Sequence, residues 1–233
     1  MSGRLRIFLV PVVTLILTCS LSATTIDFEA FANGTALGAV PVAGNTVTFA
    51  TGAGATPGAT TGYVVEVGGP VTGFQPLDSP AGGLGGARFL TDELIAPGNL
   101  PTLALNYFLS FAAPIKNLSL DLYDYRDGGA HSGHTAVLTL FSDLFTTPVA
   151  SFMYSIPAIL PVDGNVVNLA AATGSFNVFS ASLVFSGPDV GTGIDNITFT
   201  SAPEPWSILL LGSGMLGMGG ALRRRASKLG APR

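Results

Sequence analysis

The 233-residue chain has little of what covalent cross-links or catalysis require. It has one cysteine, Cys19, so no disulfide can form within the chain. Its two histidines, His131 and His134, lie in a glycine-rich stretch without the activated serine of a catalytic triad. The glycine-rich segment 82–86 lacks the Lys-Ser/Thr of a phosphate-binding loop, and no acid pair sits in a recognisable glycosidase motif. We therefore expect the protein not to be an enzyme.

Basic residues are almost absent from the middle of the chain. Between residues 24 and 202 there are 13 acids and 3 bases, Arg88, Lys116 and Arg126, an excess of 13 − 3 = 10 negative charges. A nucleic-acid-binding surface needs clustered positive charge, so no nucleic-acid partner is expected. The other bases lie near the two ends of the chain, where they flank apolar runs.

A run of 17 uncharged residues, 206–222, precedes Arg223, Arg224 and Arg225. As a helix at about 1.5 Å per residue it would span about 25 Å, close to the hydrocarbon thickness of a bilayer. Adjacent cations resist translocation, so the arginines should remain cytoplasmic. We therefore predict a transmembrane helix over 206–222 and a basic cytoplasmic tail over 226–233.

Pro203, Glu204 and Pro205 stand directly before this apolar run. The order of signature, apolar run and basic stop resembles the PEP-CTERM sorting signal of exported bacterial surface proteins, here over residues 201–225. The resemblance implies recognition by an exosortase-type transpeptidase, removal of the tail after transient residence in the inner membrane, and a final location at the cell surface or outside the cell. A permanent membrane anchor is the alternative.

The amino terminus has the three parts of a secretory signal peptide. Arg4 and Arg6 precede an apolar run over 7–17, and small residues follow up to Ala23. We assign residues 1–23 to a signal helix handled by the Sec machinery and signal peptidase. Acylation of Cys19, as in a lipoprotein, is the alternative, but Thr18 is a poor neighbour for that modification.

Residues 24–200 have the length of one domain and the pattern of β-strands. Apolar and polar residues alternate in short runs, with Gly, Pro, Asn and Asp between them. We predict strands over 25–31, 46–50, 63–67, 103–111, 115–125, 135–141, 149–155, 176–179, 181–185 and 194–200. So many antiparallel strands in one domain predict a two-sheet β-sandwich, a jelly roll; an immunoglobulin-like sandwich is the alternative.

Acids lie in both the first and the last predicted strand. Asp27 and Glu29 are two residues apart and so share a strand face, and Asp195-Asn196 lies in the last strand. This pairing resembles lectin-like jelly rolls, including carbohydrate-binding modules and MAM-type domains, in which the first and last strands are neighbours and hold a structural calcium. The resemblance implies that Asp27, Glu29, Asp195 and Asn196 are calcium ligands, since calcium prefers oxygen donors. The alternative is that these acids decorate exposed strand ends.

A second polar segment begins at Asp121. Its acids could hold another cation, although the Asp-Gly-Gly turn chemistry that follows explains the segment without a ligand. Tyr123, Tyr125 and Arg126 could stack on a sugar ring, and packing is the alternative for the aromatic pair. The resemblances therefore imply a non-catalytic surface or extracellular-matrix protein whose body binds or bridges polysaccharide or serves as a structural part of the matrix. A secreted polysaccharide-active enzyme is the alternative from another class.

Overall fold

The computed structural model describes residues 23–66, 87–95, 105–123, 134–155, 166–186 and 192–202. No helix long and apolar enough to cross a bilayer occurs among them. The predicted signal helix and transmembrane helix lie outside these ranges. The described residues form β1 (Ala23–Ile26), β2 (Thr35–Leu37), β3 (Ala39–Val42), β4 (Asn45–Gly52), β5 (Gly62–Glu66), β6 (Arg88–Thr91), β7 (Asn106–Tyr123), β8 (Thr135–Phe141), β9 (Pro148–Ser155), β10 (Val166–Ala172), β11 (Val178–Phe185) and β12 (Gly193–Ser201).

The long strand β7 belongs to two sheets. Its amino-terminal half pairs with β4 and β11, and its carboxy-terminal half pairs with β12 and β10. One sheet therefore runs β3-β4-β7-β11-β8-β9, and the other runs β2-β5-β6-β12-β7-β10 with β1 also beside β12. Every pairing is antiparallel. Strands that pass between sheets in this way form the corners of a sandwich.

The larger hydrophobic cluster among the described residues joins the two sheets. Phe49 and Leu138 come from the first sheet and Leu120 and Ile194 from the second, and all four belong to one buried cluster. Along β7 the alternation of leucines with polar residues predicts which face is inside, and Leu118, Leu120 and Leu122 are indeed buried in this cluster. The all-β antiparallel sandwich predicted from the sequence is confirmed.

A smaller cluster occupies the second sheet outside this core. Phe89 on β6 stacks on Tyr123 of β7 with ring centroids 5.6 Å apart, and Val65 is buried beside them. Gly193 of β12 lies directly against the Phe89 ring, because an added Cβ would overlap Cδ2 and lie 2.8 Å from Cε2. Glycine at this position therefore permits the close approach of the ring to the backbone.

Substitution Gly193→Ala should consequently lower the free energy of unfolding by about 1–3 kcal/mol, the usual cost of overpacking a buried ring. Urea denaturation of the purified protein would measure the loss. Gly38→Ala is the matched control, since an added Cβ there meets nothing within 4 Å. Its effect should stay within about 0.5 kcal/mol. Equal effects of the two substitutions would contradict the packing argument.

Candidate cation-binding site

The site lies at the point on β12 where pairing with β6 ends and pairing with β1 has not yet begun. β6 pairs with Gly193 and Ile194, and β1 pairs with β12 from Ile197 onwards, so Asp195 and Asn196 fall between the two. The register with β7 also shifts after Asp195, and Asn196 adopts a left-handed conformation with φ of 48°. Asparagine tolerates this conformation better than most residues. On that side of β12, Asp195 and Asn196 therefore pair with neither β6 nor β1.

Asp195 is fully buried, and neither of its carboxylate oxygens accepts a hydrogen bond from any residue in the described part of the chain. Its pKa is raised from the ordinary 3.8 to about 7, chiefly by burial and also by the negative charges of Asp121, Glu29 and Asp27. The backbone N–H of Asn196 lowers the pKa of Asp195, although it does not meet the geometric criteria of a hydrogen bond to the carboxylate. A buried carboxylate without a partner is costly, so this group marks a site that favours a cation or a proton.

Asp121 faces Asp195 across the β7–β12 ladder, where the two are in register. Amide groups hold it from both sides. Its Oδ1 accepts from Nδ2 of Asn168 at 2.8 Å, and its Oδ2 accepts from Nδ2 of Asn196 at 2.9 Å. Asn196 therefore uses its amide nitrogen to fix Asp121, and that bond leaves its side-chain oxygen available. The two amides keep the Asp121 carboxylate beside Asp195.

Asp27 and Glu29 follow the end of β1. The predicted strand 25–31 ends at Ile26, because the chain turns at Phe28, whose φ is 58°. The ring of Phe28 is buried in the core against Phe49, with centroids 5.8 Å apart. This turn leaves Asp27 exposed and Glu29 partly buried, and Glu29 Oε1 accepts the backbone N–H of Arg88 at 2.8 Å.

The guanidinium of Arg88 braces this turn. Nη1 donates to the carbonyl oxygens of Glu29 and Phe31, each at 2.7 Å, and Nη2 forms an ion pair with Glu66 at 3.1 Å. The guanidinium contacts thus go to two backbone carbonyls and to Glu66. Its positive charge is paired with the carboxylate of Glu66.

Arg88→Met, which retains the aliphatic stem, should therefore lower the free energy of unfolding by about 2–3 kcal/mol, because it removes charged hydrogen bonds to two carbonyls and an ion pair. Chemical denaturation would measure the loss. Lys116→Met is the control, since the Lys116 ammonium group makes a cation–π contact with Phe176, 5.4 Å from the ring centroid. That contact is worth about 0.5–1 kcal/mol. An Arg88→Met effect no larger than the control would contradict the bracing role.

A divalent cation is what this donor set would attract. The groups are carboxylate and amide oxygens, which suit calcium, and mutual repulsion among them would be relieved by positive charge. Within the described ranges, however, no set of three or more His, Cys, Asp or Glu side chains is already arranged to hold a metal ion. The donor chemistry suits calcium.

Of the residues predicted as calcium ligands, Asp27 and Glu29 act electrostatically on Asp195, and Asn196 is its neighbour in the chain; Asp121, which was not predicted, acts on Asp195 as well. That these residues bind calcium stays a prediction. Sequence reasoning assigned Asp121 to a different segment, because its position opposite Asp195 depends on strand register. The sorting-signal residues lie outside the described part of the chain: Pro203, Glu204, Pro205, Arg223, Arg224 and Arg225.

Of the three residues predicted to stack on a sugar, only Tyr123 lies within the described residues. Its side chain is fully buried, and its ring packs on Phe89. Tyr123 therefore belongs to the packing of the second sheet and presents no exposed ring face. Tyr125 and Arg126 lie outside the described ranges.

A second buried carboxyl, not anticipated from the sequence, lies at the end of β6. Asp92 is 2% exposed, and its Oδ2 accepts the backbone N–H of Leu105 at 2.9 Å. Burial raises its pKa to about 6. Nearby, the Tyr107 hydroxyl donates to the Thr192 carbonyl at 2.7 Å, and Thr91 Oγ1 donates to the same carbonyl at 3.1 Å. This cluster holds the starts of β7 and β12 against the end of β6.

Comparison with known proteins gives structural similarity only. No family model and no curated protein matches the chain. Similar solved structures include the K2 cleaved adhesin domain of Lys-gingipain, with 14% identity over 77% of this chain and 99% of that one and a TM-score of 0.45. Others are the K1 adhesin domain from Porphyromonas gingivalis W83 (11%, 78% and 99%, 0.35) and CtCBM11 (13%, 81% and 100%, 0.27). At these identities and TM-scores, the similarity carries no conclusion about ligand or activity.

Proposed function

We propose that this chain is a non-catalytic, exported surface or extracellular-matrix protein whose body is a jelly-roll sandwich stabilised by calcium at Asp195. The observation that carries the cation-binding part is the Asp195 carboxylate, which is fully buried and accepts no hydrogen bond from the described residues. Proteins rarely bury a carboxylate without a partner unless a metal or a proton compensates it. The excess of acid around it favours a cation.

Asp195, Asp121, Glu29 and the Asn196 side-chain oxygen would hold the ion, with Asp27 at the solvent side. Bound calcium supplies positive charge that offsets the repulsion between these carboxylates. The residues come from the end of β1, from β7 and from β12. Their shared attraction to one ion would fasten the first strand to the last strand, so the cation acts on stability.

Calcium should raise the thermal unfolding midpoint. At a concentration a hundred times the dissociation constant, the stabilisation is about 2.7 kcal/mol, or about 5–10 °C for a domain of this size. Differential scanning calorimetry in calcium, in magnesium and in EDTA would measure it. Magnesium is the control, because it demands a tighter octahedral geometry than this loose set of donors offers. An identical midpoint in all three conditions would contradict the calcium proposal.

Export and sorting rest on the two ends of the sequence, read as a signal peptide and a PEP-CTERM-like tail. The fold is compatible with this reading, because Ala23 at the start of β1 is in register with Thr200 near the end of β12. The two ends of the described body, which the two targeting segments adjoin in sequence, thus lie side by side. Mass spectrometry of the mature protein distinguishes processing from a permanent anchor: a mature peptide that contains Arg223 would contradict removal of the tail.

Polysaccharide is the proposed ligand of the body, and its support is the sequence resemblance to lectin-like jelly rolls. A glycan array probed with the calcium-loaded protein would identify the sugar class. A secreted polysaccharide-active enzyme is the second candidate, in which the partly exposed Asp121 would be one of the two carboxyl groups that glycoside hydrolysis uses. Turnover of a bound glycan by the wild type, lost in Asp121→Asn without a change in folding, would support the enzyme and contradict the non-catalytic proposal.

A further inference from the structure

The last residues of the described body are held individually by side chains and backbone of neighbouring strands. The Thr200 N–H donates to Oδ1 of Asn117 at 3.1 Å, and Nδ2 of Asn45 donates to Oγ of Ser201 at 3.0 Å. The Ala202 N–H donates to the Pro114 carbonyl at 2.9 Å. These three contacts, here called the exit latch, hold the chain as far as the residue before Pro203.

The latch is built on the corner at which β7 passes between the sheets. Asn45, at the start of β4, makes a paired contact with the Ala113 backbone, with Nδ2 donating to its carbonyl and Oδ1 accepting its N–H, each at 2.9 Å. Pro114 is the next residue, and proline lacks an N–H of its own, so the segment offers its carbonyl alone. Thr200 is also 6% exposed and pairs with Ala23 of β1. The exit latch is therefore part of the folded body.

The sequence signature follows the latch with no spacer. A processing enzyme that binds its substrate as an added strand uses main-chain hydrogen bonds on both sides of the scissile bond. On the amino-terminal side of Pro203, however, the N–H groups of Thr200 and Ala202 are already bonded within the body. An enzyme that requires those residues must first break their hydrogen bonds to the body.

We propose that the folded body controls the processing of its own tail, and that opening of the exit latch at residues 200–202 limits the rate of tail removal. This inference rests on the proposed sorting function. Asn45, Asn117 and Pro114 act as positioning residues, since they fix the chain and touch no reacting bond. The bond that is cleaved in the folded protein should accordingly lie on the carboxy-terminal side of Ala202.

The test compares tail removal in the producing cell for the full chain and two variants. A Gly-Ser-Gly-Ser spacer inserted between Ala202 and Pro203 frees the upstream side of the signature without disturbing the body, and it should speed processing about tenfold or more. Ser201→Ala removes one latch hydrogen bond and should speed it about fivefold, the factor that corresponds to a typical hydrogen bond. Pulse labelling with mass spectrometry of the new carboxyl terminus measures both.

Thr25→Ala is the matched control. Thr25 of β1 makes a side-chain hydrogen bond of 2.8 Å to Thr198 of β12, which is on the strand of the latch but outside the latch itself. This variant should be processed at the wild-type rate, while hydrogen exchange at the Thr200 and Ala202 amides should quicken in Ser201→Ala only. A spacer variant processed no faster than the wild type, or a new terminus before Ala202 in the folded protein, would overturn the latch inference alone. Failure of the wild type and of every variant to lose the tail would contradict the sorting proposal and this inference with it, whereas loss of processing in Glu204→Ala would support the sorting proposal.

Discussion

Replacement of Asp195 by asparagine should stabilise the calcium-free protein at pH 8 by about 2–4 kcal/mol and remove its response to calcium. The wild-type carboxylate is fully buried, and its pKa is raised from 3.8 to about 7. Each pKa unit of this difference corresponds to about 1.4 kcal/mol, so the gain in stability cannot exceed about 4 kcal/mol. Asparagine has the same shape without the charge. Without calcium, the substitution removes the cost of burying an unpaired carboxylate. With calcium, it removes the principal ligand of the ion.

The wild type and the variant should therefore reverse their order of stability between EDTA and excess calcium. In EDTA the Asp195→Asn variant should unfold at a higher denaturant concentration than the wild type, and in excess calcium the wild type should gain stability while the variant does not. Asp143→Asn is the control, because hydrogen bonds from Thr146 and Thr147 hold the pKa of that exposed carboxyl well below its usual range. That variant should be less stable in both conditions and keep the calcium response. An Asp195→Asn variant less stable than the wild type in EDTA would contradict the claim that the Asp195 carboxylate is unpaired.

The calcium-free protein should lose stability as the pH rises from 4 to 8. Asp195 and Asp92 both have folded-state pKa values above the ordinary 3.8, about 7 and about 6. The folded state therefore binds more protons than the unfolded state between these values, and the free energy of unfolding falls with pH. Their contribution is fully present below pH 3.8 and is lost as the pH passes through 6 and then 7. The ceilings are about 3 kcal/mol for Asp92 and about 4 kcal/mol for Asp195.

Urea denaturation in EDTA at a series of pH values would give this profile. Asp195→Asn should abolish the part of the decline nearest pH 7, and Asp92→Asn the part nearest pH 6. Calcium should flatten the upper part in the wild type, because the ion competes with the proton at Asp195. A stability that rises between pH 5 and 8 without calcium would contradict the protonation states assigned to both groups.

The sequence predicts best where alternation is unbroken. The strand predicted over 135–141 coincides with β8, and that over 149–155 differs from β9 by one residue. The segments 103–111 and 115–125 were predicted as two strands, because Pro114 interrupts a pattern that proline usually ends. In the structure they form the single strand β7, since Pro114 lies at the corner where an N–H is not needed.

Four strands were not predicted, and each lacks the usual signal. β2 and β3 contain three and four residues, too few for alternation to show. β6 is four residues long, and glycines precede it. β10 ends in three alanines, which have low β propensity, and its position depends on long-range pairing with β7. Tertiary context decided these elements.

The candidate site was predicted in part. Asp27, Glu29, Asp195 and Asn196 follow from the acids of the first and last strands, whose adjacency the β1–β12 register bears out. Asp121 could not be placed there, because 74 residues separate it from Asp195 in sequence and only the β7–β12 register brings them together. The burial of Asp195 could not be predicted from the sequence either, since a polar residue in an alternating strand is expected on the solvent face.

Isothermal titration of the EDTA-stripped protein with calcium at pH 7.5 tests the central claim most directly. The account predicts saturable binding of one calcium ion per folded chain in the wild type, release of protons into the buffer on binding because Asp195 is partly protonated, and no binding in Asp195→Asn. Absence of heat and of saturation in the folded wild type, or undiminished binding by the variant, would contradict a cation site at Asp195.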